Sequence, residues 1–208
     1  MLYSEDDIQK MDQRYRANFI NSLSGFKSAN LLGTKSTSGQ ENLAIISSVF
    51  HVGANPPLLG MIMRPHTVPR DSLQNIKDTG VYTLSAVGSE FTEAAHQTSA
   101  RYTDSEFTAV GLTPTYSATH SAPYVAEARL RIGLEVKHIE KIELNQTELV
   151  IGQVVEVYVD NSVVSVDGYI DLEHLQTACI SGLDTYHKSS RIHRYGYAKP
   201  HEALAKID

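Results

Sequence analysis

Between residues 128 and 159 the chain alternates apolar and polar side chains over two long stretches, and no other feature restricts its fold as tightly. Ala128, Leu130, Ile132, Leu134 and Val136 interleave with Arg129, Arg131, Gly133, Glu135 and Lys137. After the turn Glu143-Leu144-Asn145-Gln146, residues 148–159 carry Leu149, Ile151, Val155, Val157 and Val159 at alternate positions. A period of two describes strands with one buried and one wet face, as in an antiparallel sheet or barrel. Residues 163–166 read as a further strand turned by Asp167-Gly168. In all, the pattern predicts about seven strands with hairpin-like connections and three or so short helices. There is no strand–helix–strand rhythm, which argues against a doubly wound sheet. The expected architecture is mainly β: one antiparallel barrel with a few peripheral helices, formed by residues 1–208 as a single domain.

The stretch from 42 to 80 holds most of the chemical clues. Residues 43–52 form a strand too apolar for simple alternation, hence one covered on both faces. A Gly-Ala-Asn-Pro-Pro turn leads to a second short strand, 58–63, which ends in Arg64-Pro65-His66-Thr67. Ser47 and Ser48 sit within the first apolar run, where a hydroxyl needs a partner. A cation and hydroxyls at a strand end suit an anion. Asp71 or Ser72 is a plausible N-cap for a short helix that Gly80 stops, and residues 81–86 follow as a strand. Ser89 is placed to cap a helix through Gln97. Residues 99–123 read as a long loop or lid, a length usually tied to function.

At the N-terminus, Ser4 can cap a helix over about 4–24, with Ile8, Met11, Tyr15 and Phe19 at helical spacing. That helix reads as a packing or dimer element. The segment is acidic where a secretion signal would be basic and then apolar, and no apolar run reaches the roughly 20 residues of a membrane span, so a cytoplasmic protein is expected. Net charge is −6 and there is no Lys/Arg block, which argues against a nucleic-acid partner. The single cysteine, Cys179, excludes an intramolecular disulfide and a cysteine-based zinc site. No dinucleotide-fold glycine fingerprint, phosphate-binding P-loop, zinc-protease motif or nucleophile elbow occurs. Redox chemistry would therefore have to come from a cofactor.

Several motifs in order resemble the flavin reductase-like family of FMN-binding split barrels. They are Asn42-x-Ala44, the run holding Ser47-Ser48, Asn55-Pro56-Pro57-Leu58, the strand ending in Arg64, Asn75 and Asp78-Thr79-Gly80. Phe107 with Gly111-Leu112-Thr113, Ala122-Pro123, Ile151-Gly152, Asp167-Gly168, Gly182-Leu183-Asp184-x-Tyr186 and Arg194-x-Gly196-Tyr197 continue the match across about 19–200. The resemblance implies a Greek-key-like split β-barrel that homodimerises, with FMN near the interface. It further implies oxidoreductase activity in which hydride passes from NAD(P)H to the flavin and on to a flavin or other acceptor. A non-enzymatic FMN-binding electron carrier is the alternative, since no glycine-rich signature for reduced nicotinamide is present.

On that resemblance the candidate cofactor-binding residues are Asn42, Ser47, Ser48, Arg64, His66, Thr67, Arg70, Asn75, His96, Gln97, Thr98 and Ser99. No residue is assigned as catalytic, because hydride transfer to a flavin needs no side-chain acid or base. Each assignment has an ordinary structural counterpart: backbone hydrogen bonds for the serines, a surface ion pair for Arg64, turn shaping for Asn42, helix packing for Asn75. His96–Ser99 can equally be a polar helix end, and Tyr186, Arg191, His193 and Tyr195 read more readily as packing residues than as a nicotinamide border.

Overall fold

A computed structural model describes residues 1–65 and 71–207. Its main sheet has seven antiparallel strands: β2 (Asn30–Lys35), β3 (Glu41–Ile46), β4 (Val49–Ala54), β5 (Pro57–Met63), β6 (Val81–Ala86), β9 (Arg131–Ile142) and β10 (Thr147–Tyr158). They are ordered β3-β2-β6-β9-β10-β5-β4. The two edge strands, β3 and β4, are thus consecutive in the chain and separated only by Ser47 and Ser48. Laid flat, a seven-stranded sheet would hold its edges about 29 Å apart at the usual strand spacing. Three Cα steps reach at most about 11 Å. The sheet must therefore curl until its edges meet at this corner, which makes it a barrel that closes at Ser47-Ser48 and is split between β3 and β4.

The alternating pair seen in the sequence forms the long hairpin β9–β10, although β9 begins at Arg131 and residues 126–130 turn into it. Bulges at Ile151/Gly152 and Val154/Glu156 bend β10, as barrel strands require. Five strands contribute Leu32, Met61, Tyr82, Leu84, Leu134 and Val150 to one buried cluster. Helix α3 (Asp71–Thr79) adds Leu73 and Ile76 to it, each worth about 1.5–3 kcal/mol on burial. Leu31, next to Leu32 on β2, faces the other way. It joins Leu43, Val125, Ala95 of α4 (Thr92–Gln97) and Phe107 of α5 (Glu106–Val110) in a second cluster, completed by Ile180 of a small sheet. This sheet comprises β1 (Lys27–Ser28), β11 (Ala178–Ser181) and β12 (Thr185–Lys188) in the order β1-β11-β12.

Several expectations need correction. The run 43–52 is two strands, because the corner between the sheet edges falls inside it. The strand covered on both faces is β2, whereas β4 is largely exposed. The N-terminal helix is two helices, α1 (Glu5–Lys10) and α2 (Gln13–Leu23). Ser4 caps the first as expected, and the Asp12 carboxylate then accepts from the Arg14 and Tyr15 amides and starts a second. Helix α4 begins after Phe91, whose ring is buried, rather than at Ser89. Residues 99–123 contain α5 and β7 (Pro114–Thr115), which pairs with β8 (Tyr124–Val125). Residues 161–163 form one 3-10 turn, and 163–166 keep a single bridge, Val164 to Ile170. Asp71 and Ser72 lie inside the first turn of α3 rather than at its cap.

Across the sheet, Leu43, Gly33, Thr83, Gly133 and Glu156 stand in one register row. The two glycines leave a trough, and residues 119–125 lie in it as a strap. Thr83 Oγ1 donates to the Pro123 carbonyl at 2.5 Å, and the Val125 amide donates to Ser85 Oγ at 3.1 Å. The Tyr124 hydroxyl and Thr119 Oγ1 both donate to the Glu156 carboxylate, the latter at 2.5 Å. Burial raises the Glu156 pKa, but the hydroxyls of Thr119, Tyr124 and Ser117 outweigh it and hold the carboxyl below its ordinary value. A methyl group on Gly33 would collide with the Pro123 carbonyl and the Thr83 hydroxyl. Gly33→Ala should accordingly cost about 1–3 kcal/mol, read as a lower denaturation midpoint with an unchanged slope in urea.

Candidate functional site

Strand β3 and its corner are where four of the candidates meet: Asn42, Ser47, Ser48 and Thr98. Asn42, buried near its start, donates through Nδ2 to Ser72 Oγ on α3 at 2.7 Å. Its cross-strand neighbour on β2 is Thr34, whose Oγ1 accepts from Asn75 Nδ2 of α3 at 3.1 Å. These two amide–hydroxyl pairs tie the first two turns of α3 to β2 and β3. Both are buried, so their polar groups are satisfied within the protein and fix the helix in place.

As an edge strand, β3 would leave outward amides unpaired. Thr98 Oγ1 accepts from the Ile45 amide at 2.9 Å and donates to the Ala95 carbonyl, while Glu106 Oε2 accepts from the Leu43 amide at 3.0 Å. Side chains from the end of α4 and from α5 therefore cover the edge in place of another strand. At the other end of β3, Ser48 Oγ donates to the Ile62 carbonyl at 2.7 Å and accepts from the Ile62 amide at 3.2 Å. One hydroxyl thus pins the barrel corner to β5, two residues before Arg64.

The donors at this wall fall into two groups. The Asn42 and Asn75 amides and the Ser48 and Thr98 hydroxyls are engaged internally. The Ser47 hydroxyl is half-buried at the corner and makes no hydrogen bond with a described residue. Arg64 is exposed beyond β5 and has neither an ion pair nor a hydrogen bond among the described residues. His66, Thr67 and Arg70 lie outside the described residues. The remaining candidates diverge: Gln97 Nε2 donates to the Tyr102 hydroxyl at 2.8 Å, and exposed Ser99 closes the helix through its amide to the His96 carbonyl. His96 Nδ1 shares a 3.2 Å hydrogen bond with the Tyr186 hydroxyl on β12, edge-on to that ring. Burial, aided by the charge of Asp184, pushes the Tyr186 pKa up to about 12, so its hydroxyl stays protonated.

With this geometry in place, comparison with known proteins assigns the chain. Residues 23–171 match the model of the flavin reductase like domain. The chain belongs to the flavin reductase-like family. A crystal structure from Shewanella frigidimarina NCIMB 400, assigned as a flavin reductase with a split barrel domain, superposes with a TM-score of 0.92. It is 50% identical, over 95% of this chain and 100% of that one. An uncharacterised protein of Halalkalibacterium halodurans is 31% identical over 151 residues, 69% of this chain and 72% of its own. Nitrilotriacetate monooxygenase component B from Bacillus cereus shares the fold, with a TM-score of 0.81 at 22% identity over 92% of this chain and 96% of that one. The family's split barrel is the closed but interrupted sheet described above, and family membership makes this a flavin-related oxidoreductase.

Sequence reasoning alone does not find Ser72 and Thr34 as partners of the two asparagines, or Glu106 as an edge cap. These pairs are 30 to 63 positions apart and leave no local pattern. The serine pair offers a direct check on the division between wall and free donors. Ser48→Ala should cost about 1–3 kcal/mol by stranding both polar groups of Ile62. Ser47→Ala should stay within about 0.5 kcal/mol of the native protein, as measured by urea denaturation.

Proposed function

We propose that this chain is an FMN-binding oxidoreductase that draws hydride from NAD(P)H and delivers the electrons to free flavin or another acceptor. The observation that carries this reading is the Arg64 guanidinium, which has no ion pair or hydrogen bond among the described residues and follows two residues after Ile62, where Ser48 pins the corner. An acidic protein repels anions, so a cation left without a carboxylate partner marks where an anion is tolerated. Arg64 would hold the FMN phosphate through charge-assisted hydrogen bonds, with His66, Thr67 and Arg70 following it in sequence. Ser47 would donate to an acceptor on the flavin, and Asn42, Ser48, Asn75 and Thr98 would keep the wall rigid. Bound FMN would supply the two-electron chemistry itself.

A second subunit completes the reading. Strands β4 and β10 flank β5 and expose Phe50, Val52, Val155 and Val157, an apolar face of the kind that a symmetric partner covers. We place the flavin groove where such a homodimer would close over the Ser47-Ser48 corner.

Titration of the purified protein with FMN, followed by NADH and NADPH oxidation with and without added FMN or FAD, tests the proposal. Saturable FMN binding with NAD(P)H turnover is expected. Binding without turnover would make the chain an electron carrier, and no flavin binding would end the reading. Arg64→Ala should weaken FMN by about 1.5–3 kcal/mol, roughly ten- to a hundred-fold in Kd. An unchanged Kd would remove Arg64 from the site.

A further inference from the structure

At the end of the β2–β3 hairpin remote from the Ser47 corner, Lys35 and residues 116–121 line an open cleft of about 390 Å³. That volume lies within the range of small-molecule sites. Its cation is Lys35, half-buried where β2 ends. Lys35 stands directly opposite Glu41 in the strand register, and a cross-strand pair of this kind ordinarily neutralises itself. Here it does not: Lys35 has no ion pair among the described residues. Tyr116 engages both partners instead. Its hydroxyl donates to Glu41 Oε1 at 2.5 Å, while the Lys35 ammonium lies 4.7 Å from the centroid of the same ring. Burial, and then the Glu41 carboxylate, raise the Tyr116 pKa above its ordinary value, so the phenol remains a donor. A hydrogen bond to a charged acceptor outweighs an ion pair near the surface. Glu41 is therefore held by the tyrosine, and the ammonium keeps its charge.

The second neighbouring carboxylate is covered in the same way. Glu156 accepts from Thr119 and Tyr124, and the Ser117 hydroxyl adds to them. None of the residues lining the cleft is acidic. The loop itself is fixed: Ser117 Oγ accepts from the amides of Thr119 and His120 at 3.2 and 2.8 Å. His120, only 5% exposed, forms the floor. Its Nε2 donates to the Leu134 carbonyl at 3.2 Å, and its Nδ1 is buried with no partner among the described residues. The donors left unspent are the Lys35 ammonium, the Ser121 hydroxyl and the amides of Ala118 and Ser121.

A protein of net charge −6 repels anions at large. Keeping a half-buried cation away from the carboxylate opposite it, in a cleft whose free groups are donors, selects an anion at that one place. We propose that this cleft is a binding site for the oxyanion end of a small organic phosphate or carboxylate, with Lys35 as its cation and Tyr116 as the residue that keeps Lys35 available. The site is independent of the flavin reading. Ser47 follows Glu41 by six positions, about 20 Å of extended chain, and no residue is shared with the Ser47–Arg64 wall.

Amide NMR spectra of the ¹⁵N-labelled full chain, titrated with inorganic phosphate and separately with benzoate, test the site. Saturable shifts at Ala118–Ser121 are expected. A response to phosphate alone marks a phosphate ester as the ligand class, and a response to benzoate alone marks a carboxylate. Lys35→Gln should weaken the binding about ten-fold. Tyr116→Phe, which removes only the hydroxyl, should free Glu41 to pair with Lys35 and weaken it as well. Adding Glu41→Gln to Tyr116→Phe should restore it, a recovery that a merely structural role for Tyr116 would not produce. No saturable shift with either anion, shifts indifferent to Lys35→Gln, or a double variant no better than Tyr116→Phe would each overturn the proposal.

Discussion

The two-residue link between β3 and β4 is the constraint on which the rest of the structure depends. Because the edge strands of a seven-stranded sheet are sequence neighbours, the sheet cannot lie flat, and its curl creates an inside and an outside. The inside fills with Leu32, Met61, Leu84, Leu134 and Val150. The outside of β2 and β3 must then be covered separately, which is the work of α4, α5 and the small sheet. The corner holds because a single hydroxyl, Ser48 Oγ, meets both backbone polar groups of Ile62. A larger side chain there would lack that reach, and an apolar one would leave a donor and an acceptor without partners beside the core.

The same curl explains why the edge of β3 needs cover. A split barrel keeps one unpaired edge on each side of the split, and an unpaired edge exposes amides. Thr98 and Glu106 take up the amides of Ile45 and Leu43, so the edge is neutralised by side chains rather than by a further strand. The strap over Gly33, Thr83 and Gly133 solves the opposite problem on the barrel's outer face, where missing side chains let backbone carbonyls approach the sheet.

Much of this was legible in the sequence where a period or a turn residue carried the information. The β9–β10 hairpin announced itself through alternation, and Gly80 marked the end of α3. What the sequence hides is topology. Residues 43–52 read as one strand because both halves are apolar, and nothing local says that the chain changes edges at Ser47. Asp12 begins a second helix by competing for the amides of Arg14 and Tyr15, within an apolar spacing that otherwise runs on unbroken. The small sheet escaped notice because β1 and β11 are short and far apart in sequence. The family's motifs pointed to candidate residues at β3 and after β5, but could not say which polar groups were already spent.

That last distinction would govern what the proposed site can select. Hydrogen-bond donors bound to their own framework contribute rigidity and add nothing to a ligand's enthalpy, whereas free donors supply attraction but no position of their own. In this chain the two kinds are interleaved along β3 and its corner: Asn42 and Ser48 are engaged, whereas Ser47 between them has no hydrogen bond among the described residues. A ligand approaching the proposed site would meet Ser47 on a corner that Ser48 holds to β5 and beside a strand that Asn42 holds to α3. Such a wall would discriminate by distance and charge rather than by flexible fit. The overall negative charge of the protein would then sharpen the choice, since only an anion that reached the guanidinium would gain more from it than it lost to the surrounding field.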